Sequence, residues 1–437
     1  MALQTDRWTL DRLVDEALRG NPQVSQFEAS LESSRQQLTE AARAWWPNFS
    51  VEDSTMPSSD VHCYPGPDAV SGFVCANSNV HNLSQTGPDG ALTRVELRMA
   101  QLLYGLGPVK DAAQQGVAVS EARLAAIKQD IALQVRKSYW SVQLFRALHG
   151  MVAGARTRIE QAIARMDEMI EKQKKAKPTD RLRLVVQVTN VDTRIADAEK
   201  GEKLSMASLR VLVPTAKDTV TVEGELAPVD LAERPLAFYI DAARVHRPES
   251  QMLVSGTRAA RYYVDVVRAQ LLPSVLLLGS INGLVQSTTQ DDIPPPYTNH
   301  PYAEHGYGGG LLVHWELDFQ LKRPRLRRAW QDWEGARAGA GAAEAGIALE
   351  VTQAYETVGE TRERMRILKE GDKSAARWLD IAESKFEKRQ ADAREFTDAL
   401  LGWFASHGDY LQAIFDYDAA VAQLGRTTGM DLVGGKW

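Results

Sequence analysis

The spacing of hydrophobic residues near the C-terminus predicts a long helix that packs along one narrow seam. Apolar and aromatic positions recur there at alternating steps of four and three residues, which is the period of a coiled coil. A second run with the same steps lies between residues 184 and 198, and we expect His407 to be a core residue of the first. The two runs are Phe396, Leu400, Trp403, His407, Tyr410, Ile414, Tyr417, Val421 and Leu424, and Leu184, Val188, Val191, Ile195 and Ala198.

Two much longer helices are predicted at residues 108–177 and 324–389. Each begins with a proline, Pro108 or Pro324, and proline is tolerated at the first helical position because its missing N–H would have no partner there. At 1.5 Å per residue each helix would be about 100 Å long. The two coiled-coil runs belong to shorter helices at residues 179–212 and 392–425, and with the helices after Pro22 and Pro248 they would stack end to end beside the long ones.

Four segments alternate polar and apolar residues with a period of two, which predicts β-strands at residues 48–56, 93–104, 274–285 and 308–321. In the second of these segments Arg94, Glu96 and Arg98 face one way, whereas residues 95, 97 and 99 face the other. Residues 275–278 are apolar on both faces. Alternation alone leaves two interpretations open: a membrane-spanning sheet, or a four-stranded sheet in water with one wet face.

The two halves of the chain repeat the same order of features. Pro22 and Pro47 enclose an apolar-periodic stretch, as do Pro248 and Pro273, and IALQVRKSYWSV from Ile131 matches IALEVTQAYETV from residue 347. Such self-similarity indicates repeated supersecondary structure. We therefore expect a first repeat at residues 1–215, an inter-repeat segment at 216–235, a second repeat at 236–429 and a C-terminal tail at 430–437.

Composition and charge exclude several classes of function. A net charge of −6 argues against a nucleic-acid partner. No apolar run approaches the roughly 20 residues of a spanning helix, so strands would have to cross any membrane. No nucleophile, base and orienter pattern is present, so we expect neither an enzyme nor a cofactor. The N-terminus lacks a basic region followed by an apolar core, which fits either a removed secretory signal or a cytosolic protein.

Two further features favour the membrane interpretation. Trp45 and Trp46 lie at a helix-to-strand junction, where an aromatic girdle would lie. Long polar segments at residues 57–91 and 286–307 join the strand pairs and suit the external side of a barrel. Four strands cannot close a barrel alone, and in lipid every strand edge must be paired, so several copies would share one barrel.

The chain resembles the TolC family of outer-membrane channel proteins. The resemblance rests on the duplicated pattern, on RVELRMAQLLYGLGPV and LLVHWELDFQLKRPR before the long helices, and on SYW and AYE within them. It implies an α+β membrane protein: a homotrimer whose twelve-stranded β-barrel lies in outer-membrane lipid and continues into a coiled-coil α-helical barrel in the periplasm. It also implies an equatorial collar from segments such as residues 213–235 and the C-terminal tail.

In function, the resemblance implies the channel component of a tripartite efflux or type I secretion system. Such a channel is a passive exit duct that docks onto a periplasmic adaptor protein and an inner-membrane transporter. The alternative is a soluble structural coiled-coil protein with a small sheet cap.

The two segments at the helix-hairpin tips, KKAKPTDRLRL and EKRQADAREFTDAL, lack the glycine that is common in this family. The resemblance implies a pore constriction formed by Asp180, Glu395 and Asp398. We expect basic residues of the same tips, Arg181 or Arg394, to act as a gating latch by bonding to these acids. The resemblance also implies adaptor contacts at Lys177, Pro178, Thr179, Arg389 and Gln390. The alternative for the acids is a solvated helix surface.

The chain has two cysteines, Cys63 and Cys75, both within the same predicted external loop. Thiols this close in sequence tend to be oxidised outside the cytosol, so we expect a disulfide between them. Two free surface thiols are the alternative.

Overall fold

The computed structural model describes residues 6–58, 61–65, 73–77, 90–173, 178–216, 220–286, 306–388 and 393–434. In chain order the elements are β1 (Asp6–Trp8), α1 (Leu10–Gly20), α2 (Pro22–Arg43), β2 (Asn48–Ser58), β3 (Val61–Pro65), β4 (Phe73–Asn77), β5 (Gly90–Leu102), α3 (Gly107–Gln173), α4 (Pro178–Leu212), β6 (Val220–Val222), α5 (Leu236–His246), α6 (Pro248–Ala269), β7 (Ser274–Gln286), β8 (Gly306–His314), α7 (Phe319–Glu387) and α8 (Ala393–Thr428).

The chain divides into two compact units. The helical unit comprises Met1–Arg35, Gln115–Thr257 and Gly335–Trp437, and the sheet unit comprises Gln36–Gln114 and Arg258–Glu334. The molecule is mostly helical with a smaller share of sheet, as the sequence pattern predicted.

The sheet unit contains a four-stranded antiparallel sheet in the order β2-β5-β7-β8. Its central pair, β5 and β7, comes from different halves of the chain, with Leu97 opposite Ile281. The strands β2 and β8 form its edges. Between β2 and β5 the chain also forms the hairpin β3–β4, which alternation did not reveal because each of its strands has only five residues.

The sheet unit also contains the end of α6 and the start of α7, and these two segments pack against each other through a small hydrophobic core. Val264 and Val267 of α6 contact Ala329 of α7, and Trp330 and Trp333 cover them with rings at an edge-to-face angle, their centroids 5.3 Å apart. These apolar residues recur at three- and four-residue steps, so one face of each helix is buried.

The helical unit is held together by three hydrophobic cores along its long helices. One core joins all four helices of the coiled-coil region through Ile159 of α3, Leu184 of α4, Leu379 of α7 and Phe396 of α8. The alternating steps predicted this packing. His407 lies half-buried beside it, where its Nδ1 is 3.0 Å from Oδ1 of Asp372.

The strand β8 is shorter than the sequence indicated, and α7 begins earlier. Strand geometry was expected to residue 321, but β8 ends at His314 and α7 begins at Phe319, with Pro324 inside the helix. The physical reason is a cap at Asp318, whose Oδ1 accepts a hydrogen bond from the Leu321 N–H at 3.4 Å. An aspartate at this position satisfies an N–H that the first helical turn cannot.

Two short features join distant parts of the helical unit. The strand β1 pairs in parallel with β6, so that Trp8 lies opposite Val222. At the other terminus α8 ends at Thr428 and is followed by Gly429, whose φ of +73° favours glycine, and the Met430 N–H bonds to the Gly425 carbonyl oxygen. A Cβ at Gly429 would approach the His246 carbonyl oxygen to 2.5 Å, so this position also needs glycine for space.

Candidate functional site

One face of the four-stranded sheet is apolar and open to solvent in the single chain. Register places Val51, Leu97, Ile281 and Tyr307 in one row across all four strands. Directly opposed residues share a face, and alternate residues along each strand continue it. Val51 is 70% exposed and Tyr307 is 92% exposed. The same face carries Phe49, Val95, Met99, Leu277, Val285, Leu311 and Val313.

The opposite face of the sheet carries charge. Arg98 lies between two carboxylates, 2.9 Å from Glu52 and 2.8 Å from Glu96, and Arg94 lies 3.7 Å from Glu96. On β7 and β8 this face continues with Leu276, Leu278, Ser280, Asn282, Leu312 and the alternate glycines of β8. The sheet therefore has one mostly apolar face, and charged side chains cluster on β2 and β5 of the other.

Exposed aromatic residues mark the end of the sheet nearest the helices. Trp45 and Trp46, which precede β2, are both more than half exposed, and their ring centroids are 5.7 Å apart. Trp315, which follows β8, is also half exposed, and its indole N–H donates to the Leu271 carbonyl oxygen at 3.2 Å. Trp and Tyr prefer the boundary between lipid and water, so the sequence-based expectation of an aromatic girdle matches this geometry.

The predicted constriction acids lie at the start of the helices in the coiled-coil region. Glu395 and Asp398 are in the first turns of α8, and Asp180 is the third residue of α4. The helices α4 and α8 share a core through Leu184 and Phe396. The structure therefore places the two acidic segments on neighbouring helices.

Glu395 and Asp398 each have a basic partner. The Glu395 carboxylate is 3.1 Å from Nζ of Lys385, and the Asp398 carboxylate is 3.7 Å from Nε of Arg394. Asp398 is exposed, whereas Glu395 is half-buried. Sequence reasoning missed Lys385, although its position before the α7–α8 turn puts a cation close to the start of α8.

The predicted latch residues behave differently from each other. Arg394 pairs with Asp398 as expected, but Arg181 pairs with Asp167 of α3, 2.5 Å away, rather than with one of the three acids. The hydrogen bond to Asp167 raises the pKa of Arg181. Asp167 lies near the end of α3 and Arg181 near the start of α4, so the two residues pair across neighbouring helices, which the linear sequence does not show.

Of the predicted adaptor contacts, Thr179 is exposed in the first turn of α4, and Pro178 is the first residue of that helix. Lys177, Arg389 and Gln390 lie outside the described residues. The two cysteines lie on β3 and β4, which are antiparallel, and Cys63 is the direct partner of Cys75 in their register.

A network of charges around two buried arginines, which the sequence did not reveal, joins four helices of the helical unit. Arg426 of α8 lies 2.6 Å from both Asp130 of α3 and Glu249 of α6, and Arg247 bridges Glu249 to Glu350 of α7. Burial lowers the pKa of Arg426, but the hydrogen bonds to Glu249 and Asp130 outweigh it, so the net shift is upward. These ion pairs therefore hold α3, α6, α7 and α8 in place relative to one another.

A second buried charge lies on α8 at Asp418, which is fully buried. Its Oδ1 accepts a hydrogen bond from the Val229 N–H at 2.8 Å, whereas Oδ2 has no hydrogen-bond partner among the described residues. Burial raises the pKa of this carboxyl to about 7, and the Val229 N–H only partly opposes the shift. Val229 belongs to the segment between the two halves, so this contact attaches that segment to α8.

Other chemistry is not evident in the residues that the structure describes. They contain no cluster of three or more His, Cys, Asp or Glu side chains arranged to hold a metal ion. Among the described helices, none has both the length and the apolar character needed to cross a membrane.

Comparison with known proteins identifies the fold, and one family model matches part of the chain. Residues 239–430 match the family model described as "Outer membrane efflux protein". No curated protein matches the chain. Solved structures match over nearly the full length, which shows that the fold is that of outer-membrane channels. The shared fold agrees with the resemblance to the TolC family.

Three of these solved structures superpose on almost the whole of this chain. VceC from Vibrio cholerae superposes with a TM-score of 0.75 at 15% identity, covering 97% of this chain and 96% of that one. The open state of MtrE from Neisseria gonorrhoeae gives 0.75 at 15% identity, covering 98% and 90%. CmeC from Campylobacter jejuni gives 0.72 at 14% identity, covering 96% and 85%.

Proposed function

We propose that the chain is the outer-membrane channel of a tripartite efflux system, because its second half carries the outer membrane efflux protein domain and its fold is that of such channels. The observation that carries the proposal is the two-faced sheet. An apolar face that includes Val51 and Tyr307 is open to solvent in the single chain, and a lipid bilayer is the environment in which that exposure costs nothing.

The function requires several copies. The edges β2 and β8 leave backbone N–H and C=O groups without partners in the single chain, and lipid cannot hydrate them. We propose that three chains pair β8 of one copy with β2 of the next, giving a twelve-stranded barrel with the apolar face outward. A stable monomer in mild detergent, measured by light scattering, would contradict this assembly.

Cysteine labelling tests the orientation of the sheet. In a background with Cys63→Ser and Cys75→Ser, we would introduce Ile281→Cys on the apolar face or Ser280→Cys, its neighbour on the polar face. In liposomes a water-soluble maleimide should label the cysteine at position 280 at least ten times faster than the cysteine at position 281, because lipid covers only the apolar face.

The matched control is the denatured protein, in which both positions should label equally. Equal labelling of both positions in the folded protein would place both faces in water. That result would favour the alternative, a soluble coiled-coil protein capped by a sheet.

We propose further that Glu395 and Asp398, with Asp180, narrow the end of the duct opposite the barrel. Threefold symmetry would bring three copies of each carboxylate towards one axis, where they would favour cations. Lys385 of α7 pairs with Glu395, and Arg394 pairs with Asp398 within α8, so both ion pairs partly compensate the acidic charge that each chain brings to the axis. Arg181 holds α4 to α3 through Asp167 and is not part of a latch on these acids.

Planar-bilayer recordings test the constriction. Glu395→Ala combined with Asp398→Ala should weaken cation selectivity and reduce block by multivalent cations. The control is Glu360→Ala with Glu363→Ala, an exposed acid pair with the same spacing on α7. Selectivity unchanged in the first variant, or changed equally in both, would assign the acids of α8 to the solvated surface.

The partners follow from the same proposal. A periplasmic adaptor would contact the tip segments that include Pro178 and Thr179, together with Lys177, Arg389 and Gln390, and the adaptor would connect the duct to an inner-membrane transporter. The lipid of the outer membrane would contact the apolar sheet face.

A further inference from the structure

The start of α7 carries a dense group of positive charges. Within residues 322–328 there are five cations and no acid: Lys322, Arg323, Arg325, Arg327 and Arg328. All four arginines are exposed. The lysine differs from them, because its Nζ is largely buried and bonds to the carbonyl oxygen of Gln270 and to Glu316.

The helix geometry divides these arginines into groups. The face of α7 that packs against α6 carries Leu326, Ala329, Trp330 and Trp333. Away from that face, Leu321, Arg325 and Arg328 follow one another at steps of four and three, so they form one stripe. Leu321 is 58% exposed, and the Arg328 side chain is 86% exposed. The stripe therefore changes from apolar to cationic as the chain leaves the sheet.

The charges of the stripe are nearly uncompensated within the described part of the chain. Arg325 has no acidic partner there, and Arg328 has only a weak contact, 3.8 Å from Asp332. The stripe begins where the exposed apolar face ends, since Trp315 and Leu317 lie between β8 and α7 and are both more than half exposed. An apolar band, then aromatic residues, then cations is the order expected across the edge of a bilayer.

We infer that the Leu321, Arg325 and Arg328 stripe binds the anionic phospholipid headgroups of the leaflet on the helical side of the membrane. The inference rests on the proposed function, because it needs the sheet to lie in lipid. The guanidinium groups would contact the headgroup phosphates, for which their paired N–H donors are suited, while Leu321 would lie against the upper acyl chains. Such binding would fix the depth of the barrel in the membrane.

Lipid titration of the full chain in detergent, followed by native mass spectrometry, tests the inference. The probes are phosphatidylglycerol and phosphatidylcholine with the same acyl chains. We expect Arg325→Gln with Arg328→Gln to weaken phosphatidylglycerol binding by about 30-fold, about fivefold for each arginine, and to leave phosphatidylcholine unchanged. Arg325→Lys with Arg328→Lys should retain most of the preference.

The matched control is Arg364→Gln with Lys369→Gln, which removes the same charge from two exposed positions elsewhere on α7. It should leave both affinities unchanged. Rising salt should reduce the preference for phosphatidylglycerol, and millimolar inorganic phosphate should not displace it.

Three results would overturn the inference. Unchanged phosphatidylglycerol affinity in the glutamine variant would show that the arginines do not touch lipid. Displacement of the lipid by inorganic phosphate would indicate a site for a free anion, and dissociation of the glutamine variant into monomers would indicate pairing between copies. If the parent binds neither lipid and Ile281→Cys labels as fast as Ser280→Cys, the proposed function fails as well.

Discussion

Asp418 lets the stability of the helical unit be predicted as a function of pH. Burial raises the pKa of this carboxyl from 3.8 to about 7. Between those values the folded chain holds a proton on Asp418 and the unfolded chain does not, so the free energy of unfolding falls as pH rises. The contribution is fully present below pH 3.8 and is lost once pH has risen through about 7.

The size of the effect follows from the shift. One pKa unit corresponds to about 1.4 kcal/mol, so a shift of about three units gives roughly 4 kcal/mol per chain. Asp418→Asn keeps an acceptor for the Val229 N–H and cannot ionise. We expect the variant to match the parent within about 1 kcal/mol at pH 4 and to exceed it by roughly 4 kcal/mol at pH 8.

Urea unfolding followed by tryptophan fluorescence, at half-unit steps from pH 4 to pH 8, measures this difference. Between pH 4 and pH 7 the parent curve should fall by about 1.4 kcal/mol per pH unit relative to the variant curve, and the difference should level off above pH 7. The matched control is Asp409→Asn, which makes the same substitution at an exposed acid on the same helix. Parallel curves for Asp418→Asn and the parent would refute the reasoning, because they would mean that water or a partner group solvates the carboxylate in the folded protein.

Two further predictions concern packing and the cysteines. Gly201→Ala should destabilise the chain by about 1–3 kcal/mol, because the new methyl group would lie 2.2 Å from the ring of Phe145. Gly154 is a helical residue at which an added Cβ would have no neighbouring atom within 4 Å, so Gly154→Ala should instead stabilise the chain by up to about 1 kcal/mol. Thermal melting of both variants measures the two effects. Cys63 and Cys75, direct partners across β3 and β4, should form a disulfide, since opposed residues of antiparallel strands have Cα separations that suit the bond. Mass spectrometry of non-reduced protein with both thiols alkylated would contradict that pairing.

The sequence predicted the elements whose periodicity extends over many residues. The heptad steps from Phe396 to Leu424 gave the packed face of α8, and the alternation around Glu96 gave β5. The apolar residues of β7 were ambiguous from the sequence. Register resolves them, because Leu277 shares the apolar face with Leu311 whereas Leu278 lies in a row with Ala100 and Gly310 on the other face.

The features that the sequence did not predict depend on contacts between distant residues. The three-residue strand β1 is too short for a periodic signal and exists through its pairing with β6. The start of α7 was placed at Pro324 because proline suits a first helical position, but the cap at Asp318 starts the helix earlier. The pairing of Arg181 with Asp167 depends on the turn between two helices, and the pattern of either helix alone does not contain it.

The central pairing of the sheet constrains the timing of biogenesis. The strand β5 ends at Leu102 and its partner β7 begins at Ser274, so the first two large strands are synthesised long before the third exists. A two-stranded ribbon is marginal in water, and its unpaired edge is a template for association with other chains. During synthesis there is therefore an interval in which the sheet is incomplete and its exposed strand edge can associate with other chains unless it is protected. A holding chaperone that recognises extended apolar segments would serve this stage better than one that recognises the finished helices.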